Sequence, residues 1–174
     1  SVADPEVVEC NMMAMPGISA DGLTKQMLAN CESRADALAV IDIDAVYTPA
    51  GEATKENFKA RLGSGVGNVT DAFELRGLNS SYGCAYYPWV KIHDELNDKS
   101  VWAPPSVVAM GVMANTENRD ALWFAPAGFN RGGLTEGSAG VPVLGVSERL
   151  TSKERDTLYD ANINPIASFP SEGI

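Results

Sequence analysis

The spacing of apolar residues changes several times along the chain, and each change marks an element. Residues 7–15, VVECNMMAM, are a mostly apolar run closed by Pro16-Gly17, which predicts a strand and a turn. In the next stretch Leu23, Met27, Leu28 and Cys31 fall on one helical face, and Ser19 or Asp21 can cap its start. LAVIDID (38–44) is a short β-branched run. Strand, helix and strand in this order predict a parallel β-α-β unit. Residues 48–80 have a broken helical pattern. Thr54 can cap a segment with Phe58 and Leu62 on one face, GSGVG (63–67) interrupts it, and VTDAFELRGL follows.

The second half of the chain alternates in the same way. YGCAYYPWVKIHD (82–94) predicts one aromatic-rich strand with Pro88 at an edge or bulge. ELNDKS is a polar turn, and Val101-Trp102 resume the strand pattern. Pro104-Pro105 open a helix whose first half is apolar on all sides, from Val107 to Met113, and is expected to be buried. TEGSAG is a flexible link, VPVLGVS a strand, and TSKERDTLYDANI a helix opened by a Thr151–Glu154 capping box with Leu158 and Ala161 inside. INPIASFP predicts a last short strand. The predicted fold class is α/β, a mixed β-sheet with helices packed on its faces.

Composition narrows the function. The chain has 174 residues, enough to bury a core without disulfide or metal staples. A net charge of -10 with no cluster of Lys and Arg argues against a nucleic-acid partner and against an acidic membrane surface. Apolar runs are shorter than a membrane span, and SVADPEVVEC lacks the form of a signal peptide. The chain does not begin with Met, which suggests a processed or cut piece of something longer. Cys10, Cys31 and Cys84 are widely spaced and read as buried free thiols, and the single His93 lies far in sequence from any of them. No cofactor or metal is expected.

Several motifs invite an enzymatic reading. Asp42 and Asp44 end an apolar strand, as metal-binding aspartates of nucleotide hydrolases do, but no GxxxxGK[ST] loop accompanies them. GSGVGN (63–68) follows a helical segment instead of a strand, so it reads as a helix stop and hinge. Cys84 and His93 lie an odd number of positions apart on one predicted strand and should face opposite ways. No GxSxG elbow is present. Met12, Met13 and Met15 read as core packing. The enzymatic alternative is a Rossmann-like nucleotide- or metal-dependent domain built on Asp42 or Asp44.

WFAPAGFNRGGL (123–134) has no catalytic form. Pro126 fixes one backbone angle, Gly128, Gly132 and Gly133 permit close approach, and Arg131 offers a planar donor fork to an acidic residue of its own subunit or of a neighbour. Trp123, Phe124 and Phe129 supply packing area, so the stretch reads as a rigid loop held by an internal arginine or, since aromatics and arginine are favoured at interfaces, as an inter-subunit contact.

PPSVVAMGVMANTENRDALWFAPAGFNRGGL resembles the sheath proteins of contractile bacteriophage tails, in which Pro-Pro-Ser, a small-residue helix and an Ala-Pro-Ala-Gly-x-x-Arg-Gly turn follow in this order. YYPWVKI (86–92), CESRADALAVID (31–42) and LTSKERDTLYDANINPI (150–166) are similar to further segments of that family, so the resemblance spans roughly residues 31–170. Structural or interface candidates are Trp123, Pro126, Gly128, Asn130, Arg131 and Gly132 in the turn, with Asn164 and Pro165 in the Asn-Pro-Ile entry.

The resemblance implies a structural, non-enzymatic subunit of the virion. Such subunits polymerise around the tail tube, engage the baseplate, and contract to drive the tube through the host envelope after assembly in the host cytoplasm. Residues 1–174 would be a sheath core domain, with 1–20 and 135–174 as candidates for a second small subdomain. The family's N-terminal arm and C-terminal continuation are not matched here. A trimmed, monomeric fragment is therefore expected, and the divergent spacing points to a giant phage of the phiKZ type.

Overall fold

The computed structural model describes residues 2–43 and 66–174. Seven strands are present among them: β1 (Met12–Ala14), β2 (Leu38–Ile41), β3 (Gly83–Tyr87), β4 (Val90–Asp94), β5 (Lys99–Ala103), β6 (Val143–Val146) and β7 (Asn164–Pro165). The helices are α1 (Asp21–Arg34), α2 (Val66–Leu75), α3 (Pro105–Arg119), the single turn α4 (Gly128–Arg131) and α5 (Ser152–Asp160). β1, β2, β3 and β7 lie side by side, all parallel, in a four-stranded sheet. β4 is the centre of a separate three-stranded antiparallel sheet, flanked by β5 and β6. The α/β class is as expected, and β1-α1-β2 is the predicted parallel unit.

Alternation along the parallel strands sorts the helices. Ala39 and Ile41 of β2 pack against Met27, Leu28 and Cys31 of α1. On the same face, Ala85 and Tyr87 of β3 pack with Val66 and Val69 of α2 and Leu158 of α5. α1 comes so close that a Cβ at Gly83 would lie 2.6 Å from Leu28 Cδ1. The opposite face meets α3, whose Val108 and Val112 share a cluster with Tyr86, with Val90 and Val143 of the small sheet, and with Ile166. The parallel sheet is thus covered on both sides, as such sheets must be. Burial pushes the pKa of Cys84 up to about 11 and that of Tyr86 up to about 12.

Where the elements differ from expectation, the reasons are local. Residues 82–94 form two strands in two sheets, because the chain turns at the cis Tyr87–Pro88 peptide and Trp89, and proline has no N–H for a ladder. Cys84 and His93 thereby lie on different strands of different sheets. β1 covers only part of 7–15. Val7 is 63% exposed, and residues 2–10 form turns whose carbonyls at Val2, Val8 and Cys10 accept from Arg34 at 2.8, 2.8 and 3.2 Å. Asp36 completes this buried arginine's bonding and raises its pKa. The α1 cap is Ala20, with no side-chain bond, and Thr24 takes the inner position that the periodicity gave to Leu23.

α3 starts at Pro105 as expected, but Val107 faces solvent in part, so the helix is buried along one side only. TEGSAG is a packed turn, not a free link. Ala139 O would sit 2.3 Å from a Cβ at Gly111, and Asn115 Nδ2 donates to Ser138 O at 3.0 Å. The Thr151–Glu154 capping box forms in full. Asp44, Thr54, Phe58, Leu62 and Gly63–Gly65 lie outside the described residues, while Val66, Gly67 and Asn68 belong to the first turn of α2.

Candidate assembly loop and the buried Asp42 knot

Asp42 follows β2 at the carboxyl end of the parallel sheet and is only 2% exposed. Its Oδ1 accepts from the Ser106 backbone N–H at 3.0 Å. Its Oδ2 accepts from Ser106 Oγ at 2.7 Å and from Gly17 N–H at 2.8 Å. The Asp42 carbonyl accepts from Arg76 Nη1 at 2.9 Å, and the same guanidinium donates to Thr24 Oγ1 at 2.9 Å. One carboxylate thus ties the β1-α1 turn to the N-terminus of α3, where free amides and the helix dipole favour an anion. The Pro-Pro-Ser sequence has a local role here. The two prolines begin the helix without needing donors, and Ser106 places its first free N–H and its hydroxyl on Asp42.

Both oxygens of Asp42 are committed to donors inside the fold. Binding a metal or nucleotide would require undoing that network, so Asp42 serves the fold. Among the described residues no group of three or more His, Cys, Asp or Glu side chains is arranged to hold a metal ion. Sequence reasoning did not foresee Ser106 as the partner. The available signal was a serine at the start of a Pro-led helix together with an aspartate ending a buried strand.

The other candidates gather after α3. Leu122 is 73% exposed, Trp123 85%, Phe124 39% and Phe129 53%, an apolar ridge on the outside of the molecule. Trp123 and Phe124 stack with ring centres 6.2 Å apart. Arg131 Nε meets Asp120 Oδ2 at 3.1 Å, and its guanidinium lies 4.2 Å from the Phe124 ring centre. Arg131 therefore braces its own loop, joining the end of α3 to α4. Gly128 has φ +76°, which glycine adopts without strain, and a Cβ at Gly132 would crowd Gly128 O at 3.0 Å and Ala127 Cα at 3.2 Å. Pro126 and Asn130 are exposed.

Asn164 and Pro165 form β7, beside Tyr86 and Tyr87, and Asn164 Nδ2 donates to Ala85 O at 3.1 Å. The structure brings β7 and the loop to one place. Pro126, Gly128, Phe129 and Gly132 form one side of a groove of about 550 Å³, and Asn164 and Pro165 line it too. Val108, Val112, Ile166, Arg155, Tyr159 and Phe169 also line it, and the Phe129 and Phe169 rings meet edge to face with centres 5.6 Å apart. Trp123 is not part of this lining. The groove was not foreseen, because its walls come from segments far apart in sequence.

No protein-family model matches the chain. Known proteins do. The tail sheath protein of Vibrio phage KVP40 is 37% identical over 81 residues, 47% of this chain and 11% of that protein. The tail sheath protein of Enterobacteria phage T4 is 27% identical over 72% of this chain and 16% of its own length. That of Salmonella phage ViI is 26% identical over 86% of this chain and 23% of its own length. The chain is a distant relative of phage tail sheath proteins.

It spans between about a tenth and a quarter of the length of these relatives. The fold has a counterpart in the cryo-EM structure of the anti-feeding prophage baseplate, with a TM-score of 0.62 over 97% of this chain and 37% of that one. At 20% identity that likeness concerns the fold alone.

Proposed function

We propose that residues 1–174 are a core domain of a contractile tail sheath subunit, a structural part of the virion with no catalytic role. In the whole protein, copies would polymerise around the tail tube, engage the baseplate, and pass from an extended to a contracted packing that drives the tube through the host envelope. Physically this is one subunit with two packings of different free energy.

The observation that carries the reading is the match to tail sheath proteins of three phages, extending to 86% of the chain. The commitment of Asp42 to internal donors supports it over the Rossmann-like enzyme alternative. None of the three relatives favours a phiKZ-type source. The Trp123–Gly132 loop, with Asn164 and Pro165 behind it, is the proposed inter-subunit surface, since exposed Trp and Phe beside Arg are typical of interface anchors. The part of the chain in which a second small subdomain would lie is 1–20 with 135–174. The isolated 174-residue chain is proposed to be monomeric.

Electron microscopy of the full-length protein tests the reading. Hollow tubes of regular diameter are expected, and a non-assembling protein whose melting temperature rises clearly with Mg-nucleotide would contradict it.

A further inference from the structure

The loop from 121 to 132 is braced mostly from within. Arg131 binds Asp120 and lies over Phe124, and Trp123 stacks on Phe124. Phe124 N–H donates to Ala121 O at 3.1 Å, and Gly132 N–H donates to Gly128 O at 2.7 Å. Among the described residues, its one hydrogen bond, ion pair or ring contact reaching beyond 120–132 is Phe129 on Phe169, edge to face with ring centres 5.6 Å apart.

Phe169, in contrast, is fixed from several directions. Its N–H donates to Gly173 O at 2.8 Å and its carbonyl accepts from Gly173 N–H at 3.1 Å, which closes the turn 169–173. Arg155 of α5 lies over its ring at 5.3 Å. Ile174 N–H donates to Thr135 Oγ1 at 2.9 Å, and Ile174 O accepts from Leu134 N–H at 2.7 Å. Leu134 O in turn accepts from Val143 of β6 at 3.0 Å. Gly173 suits this return, since its φ is +85° and a Cβ there would lie 2.7 Å from Thr135 Oγ1.

We infer that Phe169 is the positioning residue of the assembly loop. The loop is a small braced unit held at its ends by α3 and by Gly133, whose carbonyl accepts from Ser138 N–H at 3.2 Å. Between those ends it leans on one ring. The Phe129–Phe169 contact therefore sets where the loop, and the exposed Trp123 with it, stands on the domain. Aromatic pairs prefer edge-to-face geometry, so a ring at 169 supplies direction as well as apolar area. The inference rests on the reading of 123–132 as the inter-subunit surface, and it names what aims that surface.

The test is hydrogen exchange by mass spectrometry on the full-length protein before assembly, followed by electron microscopy. Phe169→Ala should speed exchange of the loop amides, those of Phe124 and Gly132 among them, by roughly two- to tenfold, the range that an aromatic pair supplies. Amides of α1, on the opposite face of the parallel sheet from α3, should not change. Phe129→Ala should have the same local effect, and the double variant no more than either single one. Phe169→Tyr should restore wild-type exchange, and Phe169→Leu should not. Tube formation should be weaker in Phe169→Ala, although Trp123 is untouched, and normal in Phe169→Tyr.

Loop exchange that is unchanged, or that rises by the same factor in α1, overturns the inference. So does a locally loosened Phe169→Ala protein that forms tubes as readily as the wild type. Wild-type protein that forms no tubes contradicts the sheath reading, and the exchange result alone then decides whether Phe169 positions the loop.

Discussion

Two regions of this domain reverse the usual placement of polar and apolar groups. At the carboxyl end of the parallel sheet a carboxylate, a serine and an arginine are buried, with Asp42 2% and Ser106 1% exposed. In the loop after α3, a tryptophan is 85% exposed. The difference shows which residues serve the fold and which are left over from it. Asp42 is surrounded by donors from three parts of the chain, so its charge is compensated where it lies. Trp123 stacks on Phe124, and most of its apolar surface is left uncovered by the described residues.

The largest effect should come from breaking the knot. Asp42→Ala strands the Gly17 and Ser106 N–H groups and is expected to cost about 3–5 kcal/mol, read by urea denaturation. A loss below about 1 kcal/mol would mean that the knot does not hold the fold. Gly111→Ala places a methyl against the Ala139 backbone and should cost about 1–3 kcal/mol, with the same assay. A neutral result would show that the 134–142 turn moves aside freely.

The loop should behave differently. Arg131→Ala removes a partly exposed ion pair and a cation–π contact, and about 1 kcal/mol or less of stability is expected to go. Trp123→Ala should leave stability within about 0.5 kcal/mol while abolishing or weakening assembly of the full-length protein. If the variant assembled normally, the proposed role of the ridge would fail.

The smallest effect is a pH dependence. The Thr151 backbone N–H, and then its hydroxyl, hold the Glu154 pKa below the usual carboxylate range. A lowered folded-state pKa stabilises the domain above the unfolded value, about 4.3. That contribution is lost as pH falls through the folded value. Glu154→Gln should flatten this acid-side slope in melts between about pH 5 and 3, and an unchanged slope would place the effect elsewhere.

The fold was readable from sequence where local chemistry decides structure. The parallel β1-α1-β2 unit, the Pro-led start of α3 and the Thr151–Glu154 box all follow from periodicity or capping. Elements set by distant contacts were not. Arg34 holds residues 2–10 in turns across more than twenty positions of sequence, which no local pattern in VVEC announces. Thr24 replaces Leu23 inside α1 because its hydroxyl satisfies Ala20 O and accepts from Arg76, a bond formed only in the folded chain.

At the candidate site, the composition of 123–134 indicated a rigid, arginine-braced turn. The identity of the brace, Asp120, and the groove behind the loop required the packing of α3, α5 and β7.

The most direct test of the whole account is a cryo-EM map of the assembled full-length protein. The account predicts a hollow helical tube in which Trp123 is buried against a neighbouring copy. A tube in which Trp123 faces solvent as openly as it does in the single domain would contradict the assignment of this loop.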